Sequence, residues 1–167
     1  MKGIENKIRH LLTLAMFLLS FSTLFGQATV TVWGNWRQNV EATEITNAGD
    51  DFPNVYESAA DQSRLRVRRQ PTSQLFPWRI DVRGDIVTWD NRLEIWIRRT
   101  NDGISITPGA TITGGMVYQQ ISIFDQYFFE GNGSIRRIAL QYQYRGVSVV
   151  IPAKTYRQTI VYTLTEL

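Results

Sequence analysis

Beyond residue 28, apolar and polar residues alternate with a period of two, the pattern of strands that bury one face. Val30 and Val32 alternate with Thr29 and Thr31, and Leu65 and Val67 with Arg64, Arg66 and Arg68. Trp78, Ile80 and Val82 alternate with Arg79, Asp81 and Arg83, and Leu93, Ile95 and Ile97 with Arg92, Glu94, Trp96 and Arg98. Ile121 and Ile123 predict a further strand. So do Ile138 to Tyr144, then Val147, Val149 and Ile151, and finally Ile160, Tyr162 and Leu164. Turn-forming clusters separate these runs: Asn47 to Asp51, Asn101 to Gly103, Pro108-Gly109, Gly114-Gly115, Gly131 to Gly133, and Arg145-Gly146. Residues 41–62 show neither period and read as a loop or a short helical turn. The pattern predicts an all-β fold, an antiparallel β-sandwich of about seven to ten strands. Jelly-roll and immunoglobulin-like topologies both remain open at this point.

The first 28 residues follow a different pattern. Lys2, Lys7 and Arg9 precede an apolar block from Leu11 to Phe25, and Gly26-Gln27-Ala28 then offers small residues two apart. The block is shorter than the roughly 20 apolar residues of a membrane span. Residues 1–28 are therefore expected to be a secretory signal peptide, cut after Ala28, with the bond after Gly26 as the alternative, and with 29–167 forming a single domain. The expected location is secreted, extracellular or cell-surface, with the periplasm also open, and with no stable membrane anchor after cleavage.

Processing changes what the composition means. Loss of Lys2, Lys7, Arg9 and Glu5 lowers the formal charge from +3 to +1, so the basic precursor becomes a nearly neutral mature chain. That argues against the large uniform positive footprint of a nucleic-acid binder, and no nucleic-acid partner is expected. The single histidine, His10, leaves with the leader, and the chain has no cysteine. Thiolate and imidazole nucleophiles, Ser-His-Asp relays, His/Cys metal sites and disulfides are thereby excluded from the mature protein. Carboxylates remain, but Asp50, Asp51, Asp81, Asp85 and Asp90 are explained by turn and edge positions. The expected protein is not an enzyme, and no cofactor or metal is assigned. Calcium at Asp50-Asp51 or Asn101-Asp102 stays conceivable because oxygen ligands suffice.

The residues left for function are aromatic and cationic. Parity puts Trp78 in the core but sets Trp96 on the opposite face, among Glu94 and Arg98. There it either stacks on a sugar ring or fills a partner's pocket, or is covered by a loop, by the second sheet or by an arginine of its own surface. Trp33 and Trp36 flank a turn or bulge at Gly34-Asn35. Arg66 and Arg68, with Arg64 and Arg69, form a basic stripe, Arg79 and Arg83 do the same on the next strand, and Arg98, Arg99, Arg136 and Arg137 extend the set. Such arginines either pair with carboxylates across strands or bind phosphate or sulfated polymers. The candidate assembly or ligand-binding residues are thus Val30, Val32, Trp33, Trp36, Trp96, Arg66, Arg68 and Arg98. The segment Thr29 to Trp36 is expected to be a strand, paired either within its own sandwich or with another subunit.

The closing segment, Ile151 to Thr165, carries a resemblance. Ala153, followed by Tyr156, Thr159, Ile160, Tyr162 and Leu164, resembles the long terminal strand of spore coat protein U-like and archaic chaperone–usher pilin domains. The chain departs from them in lacking the cysteines that such subunits often pair. The resemblance implies a secreted β-sandwich subunit that self-associates. With the export pattern and the missing catalytic groups, it points to a non-enzymatic structural protein. Such a protein would build a homo-oligomer, filament, pilus or surface layer through strand-edge pairing. The alternative is a polysaccharide-binding module, with Trp96, and Trp89 or Trp36, as stacking platforms.

Overall fold

The computed structural model describes residues 26–167; of the export signal expected over residues 1–28, residues 1–25 lie outside them. Eleven strands form two antiparallel sheets, a β-sandwich as the alternation predicts. The strands are β1 (Thr29–Trp33), β2 (Val55–Glu57), β3 (Ser63–Arg68), β4 (Pro77–Thr88), β5 (Glu94–Arg99) and β6 (Ile104–Ser105). After them come β7 (Thr111–Gly114), β8 (Gln119–Gln120), β9 (Gln126–Asn132), β10 (Ile135–Arg145) and β11 (Arg157–Glu166). The larger sheet runs β1-β3-β10-β5-β8, with β2 and β6 also paired to the long central β10. The smaller sheet runs β11-β4-β9-β7.

The core follows from strand parity. Leu65 and Val67 of β3, Ile95 and Ile97 of β5, and Ile135, Ile138 and Leu140 of β10 face inward from the large sheet. Trp78, Ile80 and Val82 of β4 meet them from the small sheet with Phe128 and Phe129 of β9. The Trp78 indole donates to the Gly133 carbonyl at 2.7 Å and lies edge-on to Phe129, so its one polar atom is satisfied inside. Gly34, between Trp33 and the loop carrying Trp36, has φ +107°, and a Cβ there would sit 2.6 Å from the Gln62 carbonyl oxygen. Only glycine accepts both the dihedral and the close approach, so the chain turns there as expected.

Several elements differ from the pattern-based expectation, each for a local reason. Residues 146–156, expected as a strand through Val147, Val149 and Ile151, form turns, and Val149 and Val150 are exposed. Ile121 is buried beside β8, but Ile123 is exposed in the following loop. Strand β9 escapes detection because Phe128 and Phe129 both point inward: the register skips from Phe129 opposite Ile80 to Tyr127 opposite Asp81. This bulge breaks the period of two. Strands β2, β6 and β8 span two or three residues, too few for any period to register. Within 41–62, a single 3-10 turn forms at Ala42–Glu44.

Candidate functional site: the open flank and the outer face of the large sheet

One flank of the sandwich carries two edge strands. Strand β1 pairs with β3 of its own chain, Thr29 opposite Arg68 through Trp33 opposite Arg64. Val30 and Val32 are partly buried and pack on the core, in register with Val67 and Leu65. Thr29, Thr31 and Trp33 project from the other face. Strand β11 lies nearby at the edge of the small sheet and pairs with β4 along all ten of its residues.

Hydrogen-bond parity identifies the open side of β11. Gly84, opposite Ile160, donates its N–H to Ser122, away from β11, whereas Leu167 donates to Pro77 across the β4 ladder. Main-chain groups alternate sides along a strand, so those of Thr159, Val161, Thr163 and Thr165 turn to β4. Those of Ile160, Tyr162 and Leu164 turn to the open edge, where no main-chain partner exists among the described residues. From Gln158 to Thr165 this edge has no charged residue and no proline.

The side chains of β11 tie the edge to the core. Ile160, Tyr162 and Leu164 face inward. The Tyr162 hydroxyl meets that of Tyr142 at 2.9 Å, and Tyr142 in turn meets Ser63 Oγ, a chain of three hydroxyls joining the two sheets. Burial pushes both phenols up, and Tyr162 stays protonated well beyond the ordinary tyrosine range. At the start of the flank, Ala28 is buried in the core, and its N–H donates to Glu166 Oε1 at 2.7 Å. Glu166 Oε2 lies 3.2 Å from Arg69.

The outer face of the large sheet divides into a tied half and an untied half. In the tied half, Glu57 accepts from both Gln141 and Gln143. Gln141 accepts from Arg98 at 2.8 and 3.0 Å, and Gln143 accepts from Arg145. Arg145 lies over the Trp96 ring at 4.0 Å while the Trp96 indole donates to Glu94 at 2.8 Å. Arg98 lies over Tyr118 at 4.6 Å. Trp96 is half-buried on the face opposite Ile95 and Ile97, as its parity predicts, with one ring face taken by Arg145.

The untied half holds Arg64, Arg66 and Arg68 on alternate positions of β3. Arg66 lies over Trp33 at 5.0 Å, and Trp33 is 49% exposed. Beside Arg66, β10 bulges: Ile135 pairs with Val67 and Ile138 with Leu65, which sets both Arg136 and Arg137 opposite the single Arg66. Arg137 adopts φ +58°, and both bulge arginines are exposed. Arg64 pairs with Asp61 at 2.7 Å, Arg68 meets the neutral Gln70 amide, and Arg66, Arg68, Arg136 and Arg137 form no ion pair among the described residues.

The remaining candidates sit elsewhere. Trp36 stacks on Tyr144 at 4.1 Å and 7° between planes, with Trp89 and Tyr156 continuing the cluster at one end of the sandwich. Arg99, grouped by sequence with the surface arginines, is buried with Ile95 and Ile97, and it holds the Gly114 and Asn101 carbonyls and Asp102. Asp81, Asp85 and Asp90 pair along their own strand or turn rather than across strands, with Arg79 at 2.9 Å, Arg83 at 3.0 Å and Arg92 at 2.8 Å, while Asp125 reaches Arg83 from outside β4 at 3.3 Å. The hydrogen bonds from Arg92 hold the Asp90 carboxyl down to about 2. Asp51 accepts from Ser148, Val149 and Phe52, and among the described residues no cluster of three His, Cys, Asp or Glu suits a metal ion. Sequence reasoning missed Glu57, Gln141, Gln143 and Arg145. The opposite parity of the two glutamines to Tyr142 and Tyr144 carried that signal.

Comparison with family models, with curated proteins and with solved structures finds no match.

Proposed function

We propose that this chain is an exported, non-enzymatic structural subunit that self-associates through the open edge of β11. The observation that carries this reading is the edge itself. Natural edge strands are protected from pairing by inward charges, lysines, prolines, bulges or short length. Strand β11 is ten residues long, and beyond the register shift at Arg157/Gln158 the run Thr159–Thr165 has none of those protections along its open side. Threonines and β-branched residues favour extended pairing, and main-chain ladders bind a second strand with little regard to its sequence. The likeness of Ala153 to Leu164 to the closing strand of pilin-type domains points the same way.

The test is Thr159→Lys with Thr163→Lys. These side chains project outward opposite Asp85 and Asp81, so two lysines gain carboxylate neighbours and the fold is retained. Electron micrographs and light scattering of the native secreted material should show filaments or oligomers that the double variant loses while keeping its strand circular dichroism. Monomeric wild-type material, or assembly unchanged by the lysines, would refute the proposal.

A further inference from the structure

We infer that the untied arginine row on the outer face of the large sheet binds an acidic polysaccharide, a function separate from pairing at the β11 edge. Like charges directly opposite one another across a ladder destabilise a sheet. Here one arginine of β3 faces two of β10, and the bulge that presents the pair holds Arg137 in a left-handed conformation that side chains other than glycine's avoid. A stabilising surface would place a carboxylate in that row. Instead, the sole carboxylate paired in this half is Asp61, on Arg64 at its margin. Arg66 Nε is shielded from water and has no hydrogen-bond partner, an uncompensated donor within the row. Departures from local rules of this kind concentrate at functional or strained sites.

Geometry narrows the ligand class. Alternate strand positions lie about 7 Å apart, so Arg64, Arg66 and Arg68 form a linear array one strand wide, suited to a single extended polyanion. Thr31, in register with Arg66, supplies a hydroxyl beside the row, and Trp33 an exposed ring edge. Guanidinium forks take sulfate or carboxylate groups with paired hydrogen bonds. Single-stranded nucleic acid needs a succession of free aromatic platforms for its bases. On this face Trp96 lies under Arg145 and Tyr118 under Arg98, which leaves Trp33 alone, and that ring already faces Arg66. An anionic sugar polymer fits what is present.

The experiment titrates the processed full-length chain at 0.15 M salt with heparin as a sulfated probe, neutral dextran of similar length, and an oligo-dT strand. Heparin should bind, dextran should not, and oligo-dT should bind more weakly than heparin. Arg66→Gln with Arg137→Gln should weaken heparin binding at least tenfold while leaving Tm unchanged or higher, because a like-charge contact is relieved. Arg37→Gln with Lys154→Gln, an equal loss of charge away from the row, should change it less than twofold. Equal losses in the two double variants would mean a diffuse charge effect and overturn the assignment. Tighter binding of oligo-dT, or of dextran, would overturn the ligand class. A fall in Tm of several degrees would show the row to be structural, and Arg136→Gln alone, which leaves the strained position untouched, then reads binding independently of folding.

Discussion

Tyr142→Phe removes one oxygen atom from the buried chain Ser63–Tyr142–Tyr162, and its cost follows from the position of that oxygen in the middle. Ser63 and Tyr142 are 2% and 7% exposed, and the Tyr162 hydroxyl points into the same interior. Deleting the central hydroxyl breaks two hydrogen bonds and strands a hydroxyl at each end. A buried polar group left without its partner costs about 1–3 kcal/mol, so with two such groups Tyr142→Phe should destabilise by about 2–6 kcal/mol. Tyr162→Phe and Ser63→Ala each remove one terminal bond and leave the other intact, at about 1 kcal/mol each. Adding Tyr162→Phe to Tyr142→Phe removes one of the two stranded groups, so the double variant should be more stable than Tyr142→Phe alone. Urea unfolding followed by tryptophan fluorescence measures all four, with thermal midpoints moving about 3 °C per kcal/mol for a domain this size. Two results would refute the reasoning: additive losses in the double variant, or Tyr142→Phe no worse than Tyr162→Phe.

The same phenols predict an alkaline limit: burial raises Tyr142, Tyr144 and Tyr162, so unfolded chains lose these protons near pH 10 while the folded protein keeps them. Stability should be independent of these groups below pH 10 and fall above it by about 1.4 kcal/mol per pH unit for each phenol, and a flat urea midpoint from pH 9.5 to 11 would contradict this. Trp78→Ala should cost about 3–5 kcal/mol as a truncation of a fully buried aromatic, whereas Trp96→Ala should cost about 1 kcal/mol, since the ring loses one cation–π contact and one exposed-face hydrogen bond. Equal losses for Trp78→Ala and Trp96→Ala in urea would show that the two faces of the sheet are misassigned. Because Ala28 is part of the core and its N–H is held by Glu166, processing after Gly26, leaving Gln27 first, keeps a residue the fold uses. N-terminal peptide masses of secreted material should therefore begin at Gln27. A start at Thr29 would refute that choice of bond, and an intact Met1 would refute export itself.

Strand faces were legible in the sequence because alternation is a local property. The inward set of β3, β4 and β10, the buried Trp78 and the outward Trp96 all follow from counting residues by twos. Absence was equally legible: a chain whose one histidine is His10 and which has no cysteine limits its chemistry before any fold is known. Which strand ends a sheet depends on partners far along the chain, so only the tertiary structure could show that β11 has an unpaired side. Bulges likewise come from cross-strand register. Phe128 beside Phe129, and Arg136 beside Arg137, each put two neighbours on one face where alternation allows one. The fate of individual arginines was decided in the same way. Arg98 and Arg99 are adjacent in sequence, yet one lies over Tyr118 on the surface and the other is locked between the sheets. Local pattern fixes the face a side chain takes, and long-range packing fixes what waits on that face.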